Sequence, residues 1–396
     1  MLERLEKAEE RLVKLIGRKG ADKGHGRRTR ALLRLLRELS RVYGLIVLVR
    51  LFLYEKGLIR PHALGCQVIS IGNLTVGGTG KTPVVEIFAR ELQKAGRRVA
   101  ILSRGYKKTK APYKTRVVDR MLLRERKRPP RVVSDGSKLL LDSAMSGDEP
   151  YMLASNLPDV AVLVDQDRVK SGRYAINKLG CDTLVLDDGF QYMALKHRLD
   201  IVLVDRTNPF GNEHVLPRGI LREPIRNINR ASFIFITKSN GSGSDPLRAR
   251  LRELNPKAEI IECRHAARNL THVFTSERHE LDYLKGVKVV AMSGIAMPAG
   301  FEKELERRGA DVVDTHRFAD HHRYSQQEVI NIINAAKREG ADAIITTEKD
   351  AVRFPRLDRC DVPIYFLRVD IEILSGAEDF QECISRICFR QTSKAA

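Results

Sequence analysis

Val68-Ile69-Ser70-Ile71-Gly72-Asn73-Leu74-Thr75-Val76-Gly77-Gly78-Thr79-Gly80-Lys81-Thr82 reads as an apolar strand entering a glycine-rich turn, and the turn leads into a helix, PVVEIFARELQKAG. Glycines let a backbone approach phosphate oxygens and present successive N–H groups, and a helix amino terminus favours anionic charge. Thr75, Val76, Gly77, Gly78, Thr79, Gly80, Lys81 and Thr82 are therefore the expected phosphate cradle. Lys81 can reach the β- and γ-phosphates of a nucleotide, and the Thr82 hydroxyl can ligate Mg²⁺. The usual pattern opens on glycine where this chain has Thr75. The rest of the loop and its strand-to-helix setting fit.

Outward from the loop, short apolar runs alternate with helix-length segments as far as about Lys238. QVISIGN, RRVAILSRG, VAVLVDQD, DTLVLDDG, LDIVLVDR and SFIFITKS are nearly continuous in aliphatic residues. Such strands, separated by helices, predict a parallel sheet covered on both faces. The pattern restarts near Ile260 with VKVVAMSGIA, ADVVDTHRF, ADAIITTEKD and VPIYFLRVD, a second and smaller α/β sheet. Asn240–Asp245 marks the expected boundary, giving a nucleotide-binding domain over 61–245 and a smaller domain over 246–396. The strand ending in Asp187 and Asp188 places two carboxylates at the sheet edge where α/β folds bind ligands. One of them is expected to hold Mg²⁺, directly or through water, with a buried structural aspartate as the alternative reading of either.

Composition narrows the class. A formal charge of +20, with 43% hydrophobic and 30% charged residues, describes a globular chain and favours an anionic partner over merely solvated basic segments. The charge is concentrated: sixteen Lys/Arg against seven Asp/Glu in residues 1–60, and eleven against two from Lys107 to Arg131. A phospholipid surface, a phosphorylated substrate and nucleic acid all remain open on charge alone. Six scattered cysteines without CxxC spacing indicate a reducing compartment. The amino terminus is no secretory signal. Residues 1–26 form a charged helical arm. Residues 27–60 form a second helix whose apolar stripe (Leu32, Leu33, Leu36, Leu39, Tyr43, Ile46, Val47) is flanked by Arg27, Arg28, Arg30, Arg34, Arg37 and Arg41. Its apolar run Tyr43–Tyr54 is about half the length that spans a bilayer. It fits a helix lying in a membrane interface or one packed on its own domain.

Further motifs follow in order: Ser103-Arg104-Gly105-Tyr106, Gly147-Asp148-Glu149-Pro150, Asp187-Asp188-Gly189-Phe190-Gln191, Leu221-Arg222-Glu223-Pro224, Asp320-His321-His322 and Thr347-Glu348-Lys349-Asp350. Together with GNLTVGGTGKTP, and over roughly residues 45–370, the chain resembles the tetraacyldisaccharide 4′-kinases. The resemblance implies transfer of the γ-phosphate of ATP to the 4′-hydroxyl of an acylated glucosamine disaccharide 1-phosphate in lipid A synthesis. It implies a P-loop NTPase-like lobe, a smaller α/β lobe, a membrane-associated amino-terminal helix, and a peripheral location on the cytoplasmic face of the inner membrane of a Gram-negative-type bacterium. ATP and Mg²⁺ are the implied cofactors. Asp148 resembles the family's catalytic aspartate and His321, in preference to His322, its partner. Glu223 is a further candidate magnesium ligand, and Arg104 and Arg222 are candidates for neutralising phosphate. The basic insert at 107–131 and the arm at 1–26 exceed the family pattern, and Gly294–Pro298 matches it loosely.

The alternative is a P-loop switch or chaperone NTPase, which the loop and Asp187–Asp188 fit equally well. It does not explain the second lobe with Asp320–His321 or the short apolar helix. Nucleic acid is not expected: with 6% aromatics and no Trp, stacking platforms are poorly supplied. No obligate protein partner is inferred.

Overall fold

In a computed structural model that describes residues 26–105, 128–357 and 361–388, the strand Gln67–Asn73 lies inside a parallel sheet. It pairs on one side with Thr183–Asp187 and on the other with Leu199–Asp205. Val99–Ser103 extends the first side, and Phe233–Thr237 and then the start of the strand Glu259–His272 extend the second. These strands are buried almost throughout, which is why their sequences run apolar rather than alternating. All point the same way, so Asn73, Ser103, Asp187, Asp205 and Thr237 end at one edge. The strand order reverses beside Gln67–Asn73, and such a switch point opens the crevice where α/β sheets bind ligands.

The described residues form two compact units: 26–104, 165–264 and 372–388, and 105 with 128–164, 265–357 and 361–371. This interleaving differs from a linear division at residue 245. Packing accounts for it. The helix Asp245–Leu254 buries Leu251 in a cluster with Ile228, Ala231, Ala258 and Ile260 of the first unit. The helix Ala377–Cys388 puts Phe380 edge-on to Phe88, centroids 5.1 Å apart, and to Phe235 at 6.3 Å. Local apolar pattern shows that an element exists but not which sheet receives it. Residues 1–25 of the charged arm and 107–127 of the basic insert lie outside the described residues.

The second unit has four parallel strands in the order Asp311–Arg317, Lys288–Ser293, Ala343–Thr347 and Ile364 onward. Among the described residues it also holds an antiparallel pair, Arg131–Asp135 with Ala161–Val164, and the short strand Arg278–His279. The helix Gln326–Arg338 starts in a capping box, with Ser325 and Glu328 each satisfying the other's backbone N–H. Its Val329, Ile332, Ile333 and Ala336 fill one core, and Phe301 and Leu305 of the helix Pro298–Arg307 fill another. The helix Asp148–Asn156 follows Gly147, so its first turn carries the acids Asp148 and Glu149, as the helix dipole favours.

The helix Arg27–Glu55 belongs to the first unit and packs by one narrow face, Leu33, Ser40, Gly44 and Leu51. The Ser40 hydroxyl donates to the Val215 carbonyl at 2.6 Å, and Gly44 faces the Val215 side chain. The opposite face exposes Leu35, Leu39, Val42, Leu45, Ile46, Val49 and Phe52, with Leu45 and Ile46 each 62% accessible. No helix among the described residues is long and apolar enough to cross a membrane.

Candidate active site

The phosphate loop is built from behind. Val76 N–H donates to Ile220 carbonyl and Arg222 N–H to Leu74 carbonyl, both at 2.7 Å, so residues 74–76 run beside 220–222. The Thr237 hydroxyl donates to the Thr79 carbonyl at 2.9 Å, and Lys238 Nζ to the Gly78 carbonyl at 2.8 Å. A planar trans peptide with its carbonyl held on that side turns the next N–H, that of Gly80, the other way. Gly80 itself sits at φ 78°, a left-handed backbone that glycine adopts without strain, and caps the helix Lys81–Lys94 with no side-chain acceptor.

The residues present fit a nucleotide triphosphate with its magnesium. A Cβ built on Gly77 or Gly78 would meet nothing within 4 Å, so the cradle is open above the loop. Thr79 Oγ1 is buried without a hydrogen-bond partner, and Thr82 is buried at the helix start. Lys81 Nζ lies 3.3 Å from Asn73 Oδ1 and 3.4 Å from Asp188 Oδ1.

Asp188 is brought there by a close approach. Gly189 N–H donates to Ile71 carbonyl at 3.0 Å, and a Cβ on Gly72 would stand 2.8 Å from Phe190 N. Only glycine at 72 lets the turn after the Thr183–Asp187 strand close this far. Asp188 takes φ 56°, a conformation costing an ordinary side chain about 1 kcal/mol. Arg222 NH1 donates to both its oxygens at 2.7 Å. Burial alone would raise the Asp188 pKa; Lys81 and Arg222 outweigh it and hold the carboxyl below its ordinary range. Asp187 accepts from Ser103 Oγ at 2.9 Å.

Glu223 is placed differently. Its Oε1 accepts from Gln191 at 2.8 Å, and its Oε2 from Asn227 at 2.9 Å and Arg230 at 2.7 Å. These bonds join the buried Glu223 to its own segment and to Gln191. Among the described residues no three His, Cys, Asp or Glu gather as a metal cluster. Arg104 is exposed at the end of the Val99–Ser103 strand.

Arg168 was not legible as a site residue. It is buried, NH2 donates to the Asp187 carbonyl at 3.1 Å, Nε has no partner, and the guanidinium lies 4.9 Å from the Tyr192 ring centroid. Burial lowers its pKa against the pull of Asp187 and Asp188. The signal available was the polar run Asp165-Gln166-Asp167-Arg168 at the end of an apolar strand.

The second unit has a separate cluster. Asp148 Oδ2 accepts from Arg353 Nε at 2.9 Å and lies 3.1 Å from His321 Nδ1, while Arg323 NH2 stands 3.3 Å from Oδ1. It is His321 that reaches Asp148. His322 instead meets Glu328 at 3.0 Å and stacks on Phe318 at 4.8 Å. His321 has φ 66°, so this turn too is held in a left-handed backbone. Burial opposes the Asp148 charge, but the His321 hydrogen bond and the charges of Arg353 and Arg323 prevail and keep the pKa low. An ionised carboxylate beside Nδ1 makes that nitrogen the donor. Arg353 had no sequence signal: an arginine three residues beyond an EKD run is indistinguishable from a surface helix residue.

Comparison with known proteins agrees with the motif order. The LpxK family, tetraacyldisaccharide-1-P 4′-kinase, matches residues 32–388. A tetraacyldisaccharide 4′-kinase of Anaeromyxobacter dehalogenans (strain 2CP-C) is 42% identical over 342 residues, covering 84% of this chain and 85% of the relative. That of Halothermothrix orenii is 35% identical over 365 residues, covering 88% and 91%. The crystal structure of LpxK from Aquifex aeolicus in complex with ATP superposes with a TM-score of 0.69 at 28% identity, covering 90% of this chain and all of that one. On these matches the chain belongs to the tetraacyldisaccharide-1-phosphate 4′-kinase family.

Proposed function

We infer that this enzyme transfers the γ-phosphate of ATP to the 4′-hydroxyl of an acylated glucosamine disaccharide 1-phosphate, a step of lipid A synthesis. Thr75–Thr82 hold the triphosphate, with Lys81, Arg222 and Arg168 offsetting its charge. Thr82 and Asp187 are the proposed magnesium residues, with Asp188 fixing Lys81 and Arg222; bound Mg²⁺ neutralises charge on the phosphates. Glu223 is proposed to support this edge through Gln191 rather than through the metal. Asp148 takes the proton of the sugar hydroxyl as its oxygen bonds to the γ-phosphorus, the bond from that phosphorus to the bridging oxygen breaks, and ADP departs. His321 orients the carboxylate.

The observation that supports a kinase over a switch NTPase is the Asp148–His321 pair at 3.1 Å, a carboxylate held below its ordinary range beside a histidine, which suits an acceptor hydroxyl and which a switch does not need. Incubation with γ-labelled ATP tests it. Label is expected at the 4′ position of the disaccharide; label released only as free phosphate would contradict the reading.

The acceptor is held in a bilayer by its acyl chains, so the enzyme must work at the head-group plane. The exposed apolar face of Arg27–Glu55 and its arginines suit shallow insertion at an anionic surface. Tyr43 donates to the Arg222 carbonyl at 2.8 Å, and Arg50 to the Gln191 carbonyl at 3.2 Å, which ties the helix to the segment beside the phosphate loop. The cytoplasmic face of the inner membrane, where ATP is available, is the proposed location.

A further inference from the structure

Arg353 is wholly buried, and two sides of its guanidinium, Nε and NH1, are committed. Nε donates to Asp148 Oδ2 at 2.9 Å. NH1 donates to Asp350 Oδ1 at 3.1 Å and to the Gly294 carbonyl at 3.3 Å. NH2 lies 3.2 Å from His321 Nδ1, a nitrogen that already serves Asp148. Asp350 is equally buried and is itself fixed: it accepts from the Tyr324 hydroxyl at 3.0 Å, Gly294 N–H at 3.1 Å and the Thr347 hydroxyl at 2.5 Å. A continuous run of bonds therefore leads from the Thr347–Asp350 turn to the carboxylate of Asp148.

The run treats the two oxygens of Asp148 unequally. Oδ2 takes both Arg353 and His321, which fills its acceptor capacity. Among the described residues Oδ1 meets only the tip of Arg323, a side chain 46% exposed, across a longer 3.3 Å. Oδ1 is thus the oxygen a hydroxyl can reach. A buried ion pair is weak evidence for stability, since apolar residues of similar volume hold a fold equally well. Its value here is geometric.

We propose that Arg353 is a positioning residue for phosphoryl transfer: anchored on Asp350, it holds Oδ2 of Asp148 so that Oδ1 faces the acceptor hydroxyl. The proposal rests on the reading of Asp148 as the base. Arg353 also keeps that carboxyl charged. The groups facing Asp148 are His321, Arg353 and Arg323. Asp350 and Tyr324 stand behind Arg353, Asp320 lies 3.9 Å from His321 Nε2, and neighbouring Glu149 pairs with Lys349 at 3.3 Å. Burial favours the neutral acid, and the cations are what reverse it.

The test compares Arg353→Gln, which removes the charge, with Arg353→Lys, which keeps it, in the full-length enzyme with saturating ATP and acceptor in detergent. The Gln variant is expected to lose about 10- to 100-fold in kcat with the KM for ATP unchanged. The acid limb of its pH–rate profile should move up by about one to three pH units. The Lys variant should lose kcat with the limb near that of the wild type. A limb that stays put in the Gln variant, or an undiminished kcat, overturns the proposal. If the Gln variant does not fold, the Lys variant decides: a tenfold lower kcat with unchanged KM for ATP supports positioning, and an unchanged kcat overturns it. Asp148→Asn, run alongside, separates the two readings. Full activity there removes the base assignment, whereas an inactive Asp148→Asn with an unmoved limb in Arg353→Gln removes only the role of Arg353.

Discussion

Lys81 and Asp188 meet at the carboxyl edge of the first unit's sheet, Nζ to Oδ1 at 3.4 Å, with Arg222 closing on the same carboxylate at 2.7 Å. The pair holds the lysine over the open glycine loop instead of letting it extend into solvent. It is partly exposed, so its contribution to stability is small. Lys81→Ala should therefore lower phosphoryl transfer by about 10²–10³-fold, as for loss of one transition-state donor. Its melting temperature should change little. Near-normal turnover would remove the phosphate-loop assignment.

Asp187 and Asp188 should separate in a magnesium titration. Asp188 is committed to Arg222 and Lys81, so Asp188→Asn should reduce kcat without much change in the Mg²⁺ requirement. Asp187→Asn should raise the Mg²⁺ concentration for half-maximal rate and recover partly at high Mg²⁺. Loss insensitive to the metal in both would make both structural.

Acid should unfold the protein through its paired carboxylates. Asp148, Asp188, Asp205 and Glu262 all have folded pKa values below their ordinary ones. Each binds a proton more readily when unfolded, so its stabilisation is present above about pH 4 and is lost as pH falls through the lower folded value. Melting temperature should drop steeply below about pH 4, and Asp188→Asn should flatten part of that drop. A profile flat from pH 5 to 3 would contradict these pairings.

The helix Arg27–Glu55 predicts a two-part attraction to membranes. Basic residues near anionic lipid contribute about 1 kcal/mol each, a part that salt screens, while burial of the exposed leucines is unscreened. Flotation with phosphatidylglycerol-containing liposomes should show binding that weakens with salt but does not vanish. Leu45→Glu with Ile46→Glu, both solvent-facing, should reduce binding and lipid-acceptor turnover while leaving ATP binding intact. Undiminished liposome binding in that variant would remove the membrane role of this face.

What the sequence disclosed and withheld follows from range. The Val68–Thr82 run was legible because strand, turn and helix lie in one continuous segment whose glycines have a local reason. The parallel sheets were legible from runs of β-branched residues with no alternation. Unit membership was not: Asp245–Leu254 and Ala377–Cys388 join the first unit through Leu251 and Phe380, contacts invisible to local pattern. The same limit hid Arg168 and Arg353. Each is a buried cation whose meaning comes from carboxylates distant in sequence, and composition alone reads it as surface charge. Glu223 shows the same limit, for its motif does not disclose the neighbours Gln191, Asn227 and Arg230 that bond to it.

The central claim is that Asp148 accepts the proton of a lipid-held hydroxyl while the phosphate loop presents ATP. Single-turnover transfer from γ-labelled ATP to acylated disaccharide 1-phosphate, in wild type and Asp148→Asn with ATP binding measured in parallel, tests it most directly. The account predicts acceptor-dependent 4′-phosphorylated lipid in the wild type, and in the variant a transfer rate about 10²–10⁴-fold lower with ATP affinity retained. ATP turnover indifferent to the acceptor, or transfer undiminished in Asp148→Asn, would contradict it.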